Sequence, residues 1–206
     1  VSGNGIFFTP EEICRDFSIA VGDCEGEVVD LCAGIGKLSY IYFQSCQWNS
    51  KKPKITAIEK NPRFVEVGKK IISEANWICM DVFDESKWEE QGFKDKHFDL
   101  AISNPPFGQI GHQHWREMVN VADLTCVAIA MDKTKYGGFF ILPFTSIPWK
   151  YSGKNGFTSL ESSRWDKIKE KYKNVICNCC SFDLSLYENK WQGASPKVEL
   201  AYIAIQ

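Results

Sequence analysis

Asn104-Pro105-Pro106-Phe107 gathers a side-chain amide, two proline carbonyls that come without N–H groups, and an aromatic face into one short turn. A turn of that composition is rigid and rich in hydrogen-bond acceptors, which makes it a candidate reaction site for a ligand that brings N–H donors. Its position supports that reading. It follows Phe98-Asp99-Leu100-Ala101-Ile102, an apolar run that reads as a buried strand, and consecutive prolines continue neither a sheet ladder nor a helix. In an open parallel sheet, ligands bind at the carboxyl ends of the strands. The plain alternative is a loop that only stops a strand.

Other strand ends carry polar groups as well. Glu27 to Leu38 reads as a strand, a glycine turn and an amphipathic helix, with Gly34 and Gly36 permitting positive φ and close approach of a ligand to the backbone. Phosphate-binding fingerprints do not fit, because the Gly-Lys-Ser/Thr of a P-loop and the third glycine of the dinucleotide pattern are both absent. Asp30, just before the turn, would repel pyrophosphate and suits a cationic or amino-bearing ligand. Glu59 ends the strand Lys54 to Ile58 and lies 23 residues beyond Gly36, where a Rossmann-type site places the carboxylate for ribose hydroxyls. Trp77 to Phe83 reads as a third short strand that ends in Asp81. Polar groups at the same edge of successive strands line one crevice, and packing alone does not call for them.

An alternating α/β scaffold is needed to hold these residues in place. Thr9 is placed as the N-cap of a first helix, Pro10 as its first residue, and Glu11 and Glu12 complement its dipole. That helix runs through Ile13, Phe17, Ile19 and Ala20, and Asn61-Pro62 starts another through Phe64, Val67, Ile71 and Ile72. Met118 to Met131 reads as an apolar helix, Gly137 to Pro143 as a fifth strand and Leu160 to Lys171 as helix. Val175 to Leu186 and Val198 to Ile205 look like a terminal hairpin. With no linker or repeat dividing it, the chain 1–206 reads as one α/β domain.

Composition narrows the function. The net charge is −2 and the isoelectric point about 6.0, so the basic stripe of a protein that holds nucleic acid by itself is missing, and substrate grip is local, weak or supplied by a partner. No apolar run approaches membrane-helix length, and the nine scattered cysteines point to an intracellular, reducing compartment. Cys177-Asn178-Cys179-Cys180 lacks the spacing of a zinc knuckle, and His112 and His114 lack a third ligand, so no metal is expected.

Taken together, these residues resemble the S-adenosylmethionine-dependent amino methyltransferases that act on adenine N6, along essentially the whole chain. Phe8-Thr9-Pro10 looks like the family's N-terminal cofactor motif, Asp30 to Gly36 like its glycine motif, Glu59 and Asp81 like its two acidic motifs, and Asn104-Pro105-Pro106-Phe107 like its catalytic motif, in the gamma order. The resemblance implies a Rossmann-like fold with a seven-stranded, mostly parallel sheet and a C-terminal antiparallel hairpin. It also implies that Phe8, Thr9 and Pro10, with Asp30, Cys32, Ala33, Gly34 and Gly36, hold the methionine part of S-adenosylmethionine. Glu59 would hold its ribose and Asp81 with Val82 its adenine, with Asn104 beside the cofactor. Asn104 and the Pro105 carbonyl would activate the target amine, Phe107 would stack on the target ring, and Trp191 is the candidate second stacking residue.

The resemblance makes the expected partner nucleic acid, DNA ahead of RNA, with a protein partner or a missing region supplying target recognition. Methylation of a protein glutamine amide is a rival, although that group usually carries tyrosine where Phe107 stands. A catalytically silent binding subunit is another, against which the intact acceptor motif and carboxylates argue.

Overall fold

Apolar strands flanked by amphipathic helices can bury both only if the strands form a sheet covered on its two faces. The computed structural model has that architecture. It describes residues 8–107, 115, 121–143, 149–152, 156–159, 163–172, 175–180 and 198–205. The elements in chain order begin with α1 (Glu11–Val21), β1 (Glu27–Asp30), α2 (Lys37–Trp48), β2 (Lys54–Glu59), α3 (Pro62–Ile71) and β3 (Asn76–Cys79). They continue with α4 (Glu85–Glu90), β4 (Leu100–Ser103), α5 (Ala122–Lys133), β5 (Gly138–Pro143), β6 (Trp149–Ser152), β7 (Gly156–Ser159), α6 (Ser163–Lys171), β8 (Val175–Cys180) and β9 (Val198–Ile205).

The main sheet has seven strands in the order β3-β2-β1-β4-β5-β9-β8. Only β1 to β5 are joined by parallel pairing, and β9 pairs antiparallel with both β5 and β8. Five of the seven strands are thus joined in parallel, and the residues 181–197 that would turn a β8–β9 hairpin lie outside the described residues. Strands β6 and β7 form a separate antiparallel pair. Neither this ribbon nor α4 is anticipated by the sequence reading.

Alternation along the strands explains the two cores. Val28, Leu100, Ile102 and Ile141 pack with α1 and α2, through Ile13, Phe17, Leu38 and Tyr42. Val29, Ala101, Phe140 and Leu142 face the other way, toward Trp88 of α4, the buried length of α5 and Trp165 and Ile168 of α6. Each fully buried Val or Ile contributes roughly 1.5–3 kcal/mol, so reversing the register of β1 or β4 would empty both cores at once.

Two expectations at element ends are corrected. Thr9 does not cap α1; Pro10 occupies the cap position without a side-chain hydrogen bond, and its carbonyl accepts from the Cys14 amide at 3.1 Å. The third strand stops at Cys79, so Asp81 lies in the turn after it. By contrast Asn61 does cap α3, accepting from the Arg63 amide at 3.0 Å with Pro62 at the first position. Among the described residues no helix is long and apolar enough to cross a membrane.

Candidate functional site

The chain leaves β1 toward β2 and β3 on one side and returns to β4 and β5 on the other. Such a reversal opens a crevice beyond the carboxyl ends of the strands. Short ladder extensions hold its floor: the Leu31 amide donates to the Ile102 carbonyl at 3.2 Å and the Ala33 amide to the Ile58 carbonyl at 2.9 Å. The crevice has a cavity volume of ≈ 200 Å³ and brings together Phe8, Cys32, Gly34, Glu59, Asp81, Val82 and all of Asn104 to Phe107. Strand ends far apart in sequence thus meet around one space.

Glu59 holds this edge together. One carboxylate oxygen accepts from the Gly34 amide at 2.9 Å and the other from the Asn61 amide at 2.8 Å, so the end of β2 is tied to the glycine turn. Burial pushes its pKa up, while these backbone donors pull the other way. Asp81 accepts from the Phe83 amide at 3.0 Å, which fixes its turn. Gly34 adopts φ +57 and lies near the Phe8 ring, which stands edge-on to Phe64 with centroids 5.4 Å apart. The charged groups in the lining are Glu59, Asp81 and Lys60, and the rest of the wall is largely apolar, including Leu31, Ile58 and Phe83.

Asn104 sits where β4 ends. Its amide nitrogen donates to the Thr9 hydroxyl at 2.8 Å, a bond across 95 residues. Its Oδ1 is buried and has no hydrogen-bond partner among the described residues. A covered acceptor without a donor costs about 1–3 kcal/mol, and Pro105 and Pro106 provide no N–H to relieve it. The arrangement leaves, in the wall of the cleft, an acceptor to which no described residue donates.

Not every expected site residue reaches the crevice. Asp30 is fully buried beneath the glycine turn, where the Ser39 hydroxyl donates to it at 2.7 Å and burial pushes its pKa up to about 7. Gly36 turns away: at φ +83 it packs under Trp77, and a Cβ there would come within 2.7 Å of the indole. Its glycine is demanded by packing as much as by backbone angle. Pro10 is a helix boundary, while Thr9 and Ala33 line a smaller recess with Phe8, Cys32, Gly34, Lys37 and Asn104. Trp191 lies outside the described residues, as do His112 and His114 and the side chains of Cys177, Cys179 and Cys180.

The sequence reading missed Asn61, Phe64 and Phe83 as lining residues. Asn61 and Phe64 flank Glu59 at the start of α3, and their nearness to a strand-end carboxylate was the available signal. Phe83 offered only an apolar residue in an apolar run.

A family model described as "Methyltransferase small domain" matches residues 18–128. No curated protein matches the sequence. Solved structures with the same fold include one described as a modification subunit of a type I restriction enzyme from Vibrio vulnificus YJ016, with TM-score 0.67 and 14% identity, covering 98% of this chain and 45% of that one. Another is described as a class I S-adenosylmethionine-dependent methyltransferase from Listeria monocytogenes, with TM-score 0.64 and 13% identity, covering 97% and 61%. The M protein of the type I restriction enzyme EcoKI matches with TM-score 0.64 and 10% identity, covering 99% and 45%. The chain therefore spans about half the length of these structures. The family match covers more than half of the sequence, and the chain belongs to the methyltransferase small domain family, with S-adenosylmethionine as cofactor.

Proposed function

We propose that residues 1–206 act as one catalytic domain that transfers a methyl group from S-adenosylmethionine to the exocyclic N6 amino group of adenine in DNA. The carrying observation is Asn104: its amide nitrogen is held by Thr9 and its oxygen is a buried acceptor without a donor among the described residues, in the wall of the cleft that also contains Glu59 and Asp81. The cleft suits the cofactor. Its carboxylates complement an ammonium, a sulfonium and ribose hydroxyls, and its apolar wall suits a purine.

In this reading Glu59 accepts from the ribose hydroxyls, Asp81 with Val82 holds the cofactor's adenine, and the glycine turn at Cys32, Ala33 and Gly34 faces the methionine end. When bound, S-adenosylmethionine supplies an electrophilic methyl group on a sulfonium. The protein's task lies on the acceptor side. An exocyclic amine on a purine is a weak nucleophile because its lone pair is delocalised into the ring. Asn104 Oδ1 and the Pro105 carbonyl accept its two N–H groups, draw the nitrogen toward tetrahedral geometry and localise that pair. The same acceptors stabilise the positive charge that grows on nitrogen, which is oxyanion-hole logic with the signs reversed. Phe107 stacks on the ring, which leaves a duplex to reach it.

DNA is favoured by the likeness to two structures named as parts of type I restriction enzymes. Asn104 to Phe107 touches only an amino group and one ring face, so recognition of surrounding sequence is assigned to a protein partner or an additional region. The test is incubation with methyl-labelled S-adenosylmethionine and, in parallel, duplex DNA, single-stranded DNA, RNA and protein. Label recovered as N6-methyladenine from DNA is expected. Label confined to RNA or to glutamine would move the substrate class, and label in none of them, with cofactor still bound, would overturn the reading in favour of a silent binding subunit.

A further inference from the structure

The geometry points to Thr9 as the positioning residue that holds the Asn104 side chain in the wall of the cleft. This inference rests on the amine-clamp reading of Asn104 and goes beyond it. A side-chain amide has a donor end and an acceptor end of nearly the same shape. With its oxygen toward an N–H group it activates an amine; turned over, it would present its own N–H groups to the amine and block the clamp. A threonine hydroxyl both accepts and donates, so it can engage either end of the amide, and what it fixes is the place of the side chain. Within the described residues, the Thr9 hydroxyl, accepting from Nδ2 at 2.8 Å, is the contact that engages the Asn104 side chain, while Oδ1 has no partner.

Both ends of this bond are mounted on rigid parts of the fold. Thr9 is 7% exposed and is followed by Pro10, whose ring restricts the backbone before it and starts α1. α1 is anchored by Ile13, Cys14 and Phe17 in the core that also contains Leu100 and Ile102 of β4. Asn104 follows β4 directly and is held from the other side by Pro105. The bond thus joins the entrance of the first helix to the end of the fourth strand, and its hydroxyl does not cap the helix. Thr9 acts through Asn104.

The test compares Thr9→Val, which keeps the β-branched shape and removes the hydroxyl, with Thr9→Ser, which keeps the hydroxyl, and with Thr9→Ala in case Val does not fold. Thr9→Val or Thr9→Ala is expected to lower kcat by about tenfold or more, with the cofactor Kd held within about twofold and Thr9→Ser restoring near-normal turnover. A second readout needs no acceptor substrate. In protein with labelled nitrogen, the side-chain amide proton of Asn104 that bonds the Thr9 hydroxyl should be protected from exchange in the native chain and in Thr9→Ser, and lose that protection in Thr9→Val or Thr9→Ala.

Unchanged amide protection without the hydroxyl would overturn the inference, and so would full kcat in Thr9→Val. A loss of cofactor affinity with kcat preserved would assign Thr9 to the cofactor instead. Failure of the adenine reading itself appears in the labelled-substrate assay and leaves the amide readout intact, so the two failures are distinguishable.

Discussion

The two ends of β4 treat buried polar groups in opposite ways. Near its amino end, at the end of α5, Asp132 is 6% exposed and accepts from the Trp115 indole at 2.9 Å, from Lys171 at 3.0 Å and from the Tyr172 hydroxyl. Lys133, 3% exposed, donates to the Phe93 carbonyl at 2.9 Å, pairs with Asp95 at 3.1 Å and lies over the rings of Trp88 and Trp115. At the carboxyl end, Ser103 Oγ, Asn104 Oδ1 and, on the neighbouring β1, Asp30 Oδ1 are buried with no hydrogen-bond partner among the described residues. Burial in a protein is tolerable for a polar group when its partners are built in. The satisfied end is therefore structural, and at the unsatisfied end Asn104 is the one of the three residues that lines the cleft.

The sharpest way to break this contrast is to remove Asn104. Asn104→Ala should lower methyl transfer by at least 10²–10³-fold, the size typical of losing one transition-state hydrogen-bond group, while cofactor affinity stays within about tenfold. Stability should move by no more than about 1 kcal/mol, because the lost bond to Thr9 and the relieved orphan oxygen oppose each other. Retained turnover in single-turnover kinetics would sink the clamp.

The mirror-image change is Asp132→Ala. It strips the acceptor from an indole, an ammonium and a phenol at once, and should cost on the order of 3 kcal/mol of folding stability, as uncompensated buried polar groups do. Cofactor Kd measured by calorimetry below the unfolding transition should not change. If instead Asp132→Ala spared the urea midpoint and weakened cofactor binding, the division of labour between the two ends of β4 would be wrong.

How much of this contrast the sequence carried depends on the range of the interactions. Glu59, Asp81 and Asn104 were legible because each follows an apolar run directly, so a local pattern placed them at one edge. Thr9 was misread as a cap since a threonine before Pro-Glu-Glu satisfies every local rule for one; the partner that claims it is 95 residues away. Gly36 was read for a ligand, but its neighbour is Trp77 from another strand. Asp132 and Lys133 drew no reading from the sequence, and the packing of Trp88, Trp115 and Tyr172 around them makes them interior. The short α4 carried an Asp84 cap whose side chain accepts from the Ser86 amide, a signal too brief to stand out. Long-range pairing, rather than composition, is what the pattern could not express.

Asp30 gives the gentlest test of the contrast, because it is orphaned at one oxygen yet bonded at the other to Ser39. Its carboxyl is raised from an ordinary 3.8 to about 7, with burial the leading cause, the Ser39 hydrogen bond opposing and the charge of Glu59 adding. The folded state thus holds a proton that the unfolded chain releases at lower pH. That contribution to stability is fully present below about pH 4 and is lost as pH rises toward and through 7, at up to ~1.4 kcal/mol per unit. Asp30→Asn cannot ionise, while its side-chain oxygen can still accept from Ser39. Measured by urea unfolding, the mutant should therefore gain on the native protein steadily between about pH 4 and about pH 7 and hold a constant offset above that. The difference between the two curves cancels the other titrating groups to first order. Parallel curves would mean that Asp30 is ionised without penalty, and that its buried oxygen has a donor after all.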